Sequence, residues 1–250
     1  MLCKARSKNS TYPLYLLLGI EHVLSSLLIC CCFLSPNRAN ANALDCLPVL
    51  VQLAPVYIGN LHQTTDTHTI YNIGHGVAGG NLVQRFISLA EPHRTEIRKT
   101  YVLKERLRND LRGLRIIDAA IHKRSGESPF RCVDVGVLDE NTVRLTDVHG
   151  QDLARFKKSL PEEAKTPFEE LWVAHLRVLD RQILNYLGEN QAQYRIIHHE
   201  LSRNVHDSGT YFMLRFRVYD LTSHEEVEIL IKQDNVVINN LGEWWIVDPY

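Results

Sequence analysis

The stretch TYFMLRFRVYDLTSHEEVEILIKQD, Thr210 to Asp234, alternates apolar and polar side chains on both sides of a short polar turn. Phe212, Leu214, Phe216 and Val218 alternate with Met213, Arg215, Arg217 and Tyr219. After Thr222-Ser223-His224, Val227, Ile229 and Ile231 alternate with Glu226, Glu228 and Lys232. A period of two marks strands with one buried and one wet face, so the stretch reads as an antiparallel hairpin. Matching the apolar faces places Val218 opposite Val227, Phe216 opposite Ile229 and Arg217 opposite Glu228, because a slip of one residue would drive Glu228 into the core.

Working outward, YRIIHHELSRN before the hairpin and EWWIVDP after it read as two further strands, which makes a four-stranded antiparallel sheet. Its apolar face needs a cover. The helix from Pro167 to Leu187 supplies one, with Leu171, His175, Val178, Ile183 and Leu187 along one side and Gly188 placed to end it; Gln151 to Ser159 reads as a shorter helix. Between Leu114 and His149 the segments LRIIDAAIHK, FRCVDVGV and TVRLTDV suggest a small antiparallel meander.

Further towards the N terminus, Leu82, Phe86 and Leu89 share a helical face, and a second helix after Pro92 carries Leu103, Leu107, Leu111 and Leu114 beside Lys104, Arg108, Arg112 and Arg115. That basic stripe, with Glu105 and Asp110 interleaved, reads as a solvated face. Thr64 to Thr69 reads as a loop, and Asp45 as the cap of a helix over Leu47 to Ile58. The expected architecture is α+β: N-terminal helices and a small antiparallel meander, then a long helix packed on a curved, cone-like four-stranded sheet. Residues 44–150 and 151–250 form its two halves, sharing one core.

Lys4, Arg6 and Lys8 precede an uncharged apolar run from Val23 to Leu34, and Ala39-Asn40-Ala41 and Ala41-Asn42-Ala43 offer small-residue cleavage sites. This is the layout of a signal peptide over residues 1–43. The alternative is an uncleaved anchor from Pro13 to Ser35, against which Glu21 and His22 weigh. Four of the six cysteines fall in this leader, leaving Cys46 and Cys132, which in an oxidising compartment would form a disulfide and otherwise pack as buried thiols. The formal net charge of -1 provides no field for nucleic acid, so no nucleic-acid partner is expected.

IYNIGHGVAGGNLVQRF, Ile70 to Phe86, raises the question of a dinucleotide turn at Gly74, Gly76 and Gly79. Such a turn needs a buried parallel strand before it and an acidic residue at the end of a second strand. Only Ile70, Tyr71 and Ile73 precede Gly74 as a strand, and the second strand is missing, so Gly74 to Gly80 reads as a flexible turn leading into the helix at Asn81, and no cofactor is expected. His198-His199-Glu200 lacks the spacing of a zinc-binding helix, and on a strand the two histidines point to opposite faces, so no metal is expected. His199 shares the parity of Ile197 and Leu201, which puts it on the apolar face as a polar contact, a base or a hydrogen-bonded core residue. Trp244 and Trp245 fall one to each face of the last strand.

The order of a long helix followed by a sheet ending in GEWWIVDP resembles the nuclear-transport-factor-2-like and cystatin-like superfamily, mainly over Pro167 to Tyr250. The resemblance implies a cone with an apolar cavity between helix and sheet, in a group that includes cyclases, isomerases, ligand binders and secretion scaffolds. His199 and Asp248 are the nearest candidates for a catalytic pair. The leading expectation is an exported, periplasmic or extracellular carrier whose cavity, lined by His199, Phe212, Leu214, Phe216, Ile229 and Trp244, takes an apolar small molecule or lipid. The alternatives are a cavity enzyme using His199 and a membrane-anchored assembly scaffold. Membrane contact follows only from a retained leader, and self-association stays open.

Overall fold

The computed structural model describes residues 59–75, 81–122, 128–206 and 209–249. The leader expected over residues 1–43, Cys46, the helix expected over Leu47 to Ile58 and the segment Gly76 to Gly80 lie outside them.

The N-terminal half is a sheet rather than a helical region. Strands β1 (Asn60–Thr64), β2 (His68–His75), β3 (Leu82–Ser88) and β4 (Thr95–Thr100) run consecutively, and helix α1 (Lys104–His122) follows. The hairpin β6 (Val135–Val137) and β7 (Thr142–Thr146) completes the antiparallel order β1-β2-β3-β4-β7-β6. Leu82, Phe86 and Leu89 fit a helical spacing, but Val83, Arg85 and Ile87 fit an alternation as well. Pairing on both sides decides for the strand, since Arg85 stands between Tyr71 and Ile97. The loop expected at Thr64 to Thr69 is the short β1-β2 turn with the first two residues of β2. Gly74 sits inside β2 opposite Val83, and β3 returns antiparallel, so no strand-turn-helix unit forms there.

Leu114 to His122, the described part of the segment LRIIDAAIHK, is the second half of α1 and not a strand. Ile116, Ile117, Ala120 and Ile121 are buried, a spacing of one, three and one that a helix presents on a single side and a strand does not. The rest of the expected meander divides: β6 and β7 join the large sheet, while β5 (Phe130–Cys132) pairs in parallel with β13 (Trp244–Ile246).

The C-terminal elements lie close to expectation. Helix α2 (Leu153–Ser159) is capped by Asp152, whose side chain accepts from the Arg155 N–H. Helix α3 (Glu162–Glu189) starts before Pro167 and buries Ala164, Phe168, Trp172, Leu176, Leu179, Ile183 and Leu187. The inward stripe is thus offset from the expected one, with Leu171, His175 and Val178 half-buried on its flank. Gly188 stays helical. The stop is Asn190, whose Nδ2 donates to the Tyr186 carbonyl at 2.7 Å.

Strands β9 (Tyr194–His206), β10 (Gly209–Asp220) and β11 (Glu225–Ile231) form an antiparallel sheet ordered β11-β10-β9. Val218 opposes Val227, Phe216 opposes Ile229 and Arg217 opposes Glu228, as the alternation requires. The ion pairs run diagonally: Arg217 reaches Glu226 at 2.7 Å and Arg215 reaches Glu228 at 2.9 Å. The expected fourth strand belongs elsewhere. β13 pairs with β12 (Val236–Asn239), an element whose four residues carry too little pattern to stand out, and β8 (Gly150–Asp152) closes a separate sheet ordered β5-β13-β12-β8. The cone of four strands is therefore replaced by a three-stranded and a four-stranded sheet. Gly150 is required at this seam, since a Cβ there would collide with the Ile238 carbonyl.

The main core lies between α3, α1 and the two smaller sheets and includes Phe130, Phe156, Phe168, Trp172, Phe216 and Trp244. Trp172 stacks on Trp244 with ring centroids 5.9 Å apart, and Phe130 meets both edge-on. A second, smaller cluster of Ile97, Tyr101, Leu107, Val133, Val143 and Leu145 lies on the inner face of the large sheet.

A candidate ligand cleft at the junction of two sheets

Alternation along β3, β4 and β7 puts Val83, Arg85, Ile97, Lys99, Val143 and Leu145 on one face of the large sheet, and the register sets Val83 against Lys99 and Arg85 against Ile97. Two cations among valines and isoleucines must be neutralised, because an unpaired charge in such a place costs far more than a mispacked methyl. Arg85 donates Nε to Asp147 Oδ2 at 2.7 Å and Nη2 to Oδ1 at 2.9 Å, a two-pronged pair with side chains only 6% and 1% exposed. Lys99 Nζ donates to Asp110 Oδ2 and to Asp248 Oδ2, each at 2.7 Å, and the Tyr101 hydroxyl donates to the same Asp110 oxygen at 2.7 Å.

Burial alone would depress the Lys99 pKa, but Asp248 and Asp110 outweigh it and hold the ammonium above its ordinary value. Burial, with Asp110 beside it, pushes the Tyr101 phenol well up, so it stays a donor. Strand β4, helix α1 and the segment after β13 are thereby pinned at one charged node.

Beside this node lies a cleft of about 230 Å³. Its large-sheet side is formed by Ile73, Val83, Ile97 and Leu145, and its opposite side by Val237, Val247 and Asp248. Asp152, Arg155 and Asp234 stand at one end. Burial raises the Asp152 pKa, with Asp234 adding to it, although Arg155 opposes both. No histidine, cysteine or serine is among the lining residues. A second groove of about 530 Å³ lies between Glu105, Arg106 and Asn109 of α1 and the wet face of β10 and β11. Ion-paired Arg215, Arg217, Glu226 and Glu228 line it, and Asn109 brackets the Glu228 backbone by donating to its carbonyl and accepting from its N–H.

The residues expected from sequence occupy other places. Leu214, Phe216, Ile229 and Trp244 are buried core side chains beneath α3, and half-buried Phe212 accepts at its carbonyl from Trp172 Nε1 at 3.0 Å. None of them lines either depression. His199 stacks on Phe216 with centroids 4.7 Å apart and meets Asp180 of α3 at 2.6 Å through Nε2. Asp248 is bonded to Lys99 instead, so the two members of the suggested pair take different partners. Among the described residues Cys132 has no disulfide partner, since Cys46, with which a bridge is expected, lies outside them; burial and Asp118 raise the pKa of its thiol. Among the described residues, no cluster of histidine, cysteine, aspartate or glutamate could hold a metal ion. Three of the four cations in the basic stripe of α1 form ion pairs, Lys104 with Glu140 and Arg108 and Arg112 with Glu225, and Arg115 is exposed.

The site residues missed from sequence are Arg85, Lys99, Asp110, Asp147, Asp152 and Asp234. For the first two a signal existed, since LVQRFIS and TEIRKT both alternate. Asp147 lies 62 positions from Arg85 and Asp248 lies 149 from Lys99, separations that a local pattern does not bridge. Compared with protein-family models, curated proteins and solved structures, the chain gives no match.

Proposed function

We propose that the chain is an exported binding module that holds a small, mainly apolar molecule in the cleft between the large sheet and the β5-β13-β12-β8 sheet. The cleft's composition carries this reading: a floor of valine, isoleucine and leucine beside charges that already satisfy one another. Pre-paired charges orient a ligand without having to move, and an apolar floor supplies the affinity. At about 230 Å³ the space lies below the roughly 300–1,000 Å³ usual for drug-sized ligands, which favours a compact molecule over a lipid. No histidine, cysteine or serine is among the described residues that line it, and the reading as a binding site rests on the apolar floor. The leader over residues 1–43 is the support for export, and among the described residues no helix is long and apolar enough to cross a membrane. The likeness to the nuclear-transport-factor-2-like superfamily belongs to the same proposal.

The test is a methyl-detected NMR titration with cyclohexanol, hexanoate and hexylamine, on the natural sequence and on Val237→Trp, which fills the cleft. Saturable shifts at Val83, Leu145, Val237 and Val247, lost in the tryptophan variant at unchanged thermal stability, are expected. Probes that leave these methyls unmoved, or that bind the variant equally well, would remove the proposal.

A further inference from the structure

Strand β9 pairs with β10 along its whole length from Tyr194 to His206, and among the described residues no strand pairs with its other edge. A free edge of 13 residues is a template for another strand, and lysine, proline, other charges and bulges are the usual means of keeping such an edge single. β9 has no lysine or proline, and its charges, Arg195, Glu200 and Arg203, are of both signs, so they can pair across an edge as well as repel. Arg195 to His199 are all exposed, including Ile196 at 39% and Ile197 at 42%.

The one irregularity is a bulge: His198 opposes Arg217 and Ile196 opposes Val218, which leaves Ile197 as the extra residue. With Ile197 set aside, His198 is the midpoint of three couples: Ile196 and His199, Arg195 and Glu200, Tyr194 and Leu201. The members of each couple also share a face. Arg195, His198 and Glu200 oppose Tyr219, Arg217 and Arg215 on the wet side, while Ile196, His199 and Leu201 oppose Val218, Phe216 and Leu214 on the buried side.

We propose that the free edge of β9 docks a second copy of this chain, antiparallel about a two-fold axis at His198. In that register every Arg195 meets Glu200 of the second copy and every Tyr194 meets its Leu201, so charge and shape complement themselves twice, as a two-fold interface demands. Within one chain Arg195 lies over the Tyr219 ring of β10 and Glu200 stands 3.5 Å from His198, so both side chains are on the wet face, and Arg195 exchanges its ring contact for Glu200 of the second copy on docking. The two sheets join into one continuous six-stranded sheet, and Ile196 moves against His199 of the second copy. The proposal does not depend on the cleft.

Sedimentation equilibrium tests it on the natural sequence, on Arg195→Glu, on Glu200→Arg and on the double exchange. A dimer is expected for the natural sequence. Each single substitution sets like charges together in two places and should weaken it at least tenfold, and the double exchange should restore it. Oxidised His198→Cys should give a covalent dimer, which reports the axis even if a charge variant folds poorly. A natural chain that stays monomeric at about 100 µM, where even a weak dissociation constant would be visible, would overturn the proposal. A dimer indifferent to both single substitutions, or one that the double exchange fails to restore, would do the same.

Discussion

Around Trp172 the protein buries aromatic rings and aliphatic chains with hardly a charge among them, whereas around Lys99 it gathers two buried cations, the buried carboxylates of Asp110 and Asp147, the half-buried one of Asp248 and a buried phenol between valines. The first region surrounds a helix of 28 residues that can lay seven buried apolar side chains along one line. The second joins a sheet to segments far away in the chain, where specific charge pairs fix the approach that apolar contact would leave free to slide. Apolar packing gives the first region its stability, and pairing gives the second its geometry, which is also where the cleft opens.

The largest effect should come from Trp172→Ala. The ring is fully buried, stacks on Trp244 and satisfies the Phe212 carbonyl, so its loss removes area, leaves a cavity and orphans an acceptor. A loss near the top of the about 3–5 kcal/mol range for buried aromatics is expected in urea denaturation. A loss of under about 1 kcal/mol would mean that the core collapses freely, and the contrast between the regions would fail.

Lys99→Met comes next, because it removes the ammonium that Asp110 and Asp248 share. Removing one member of a buried pair costs about 3 kcal/mol or more, but replacing all members by neutral groups often costs little. Lys99→Met should therefore be rescued in large part by adding Asp110→Asn and Asp248→Asn, as read by the same denaturation. If the triple variant is no more stable than the single one, the node contributes through attraction rather than through the avoidance of unpaired charge.

The two regions also differed in how legible they were. The β10-β11 register followed from matching the apolar faces across the Thr222-Ser223 turn, where a slip of one residue would drive Glu228 into the core, and the structure has it. The long helix was equally plain, though its inward stripe is offset because Leu171 and Val178 looked as apolar as Phe168 and Trp172. The N-terminal sheet was hidden by its own charges. Arg85 and Lys99 occupy positions where an alternating strand displays apolar residues, so the pattern fell back on Leu82 and Phe86 and suggested a helix. A cation on an inward face becomes intelligible only with its partner in view, and those partners lie across the fold.

The smallest effect tests whether the apolar region is as free of charge chemistry as it looks. His175 lies half-buried on α3, 4.5 Å from the Trp244 ring and 6.0 Å from Phe130, and its Nδ1 is buried without a hydrogen-bond partner. Burial lowers its pKa from 6.5 to about 4, so the folded chain refuses a proton that the unfolded chain accepts. The contribution is complete above the unfolded value and fades as pH falls through the interval towards 4, worth about 1–2 kcal/mol once partial exposure is allowed for. Lys99 works in the other direction: its raised pKa keeps its contribution intact up to the ordinary lysine value of 10.5 and yields only at higher pH, so it adds no slope in this interval. Between pH 6.5 and 4 the unfolding free energy of the natural sequence should fall steadily relative to that of His175→Leu, because leucine has no proton to accept. Parallel curves would show that His175 titrates as it does in water, and would leave the aromatic core with no pH dependence of its own.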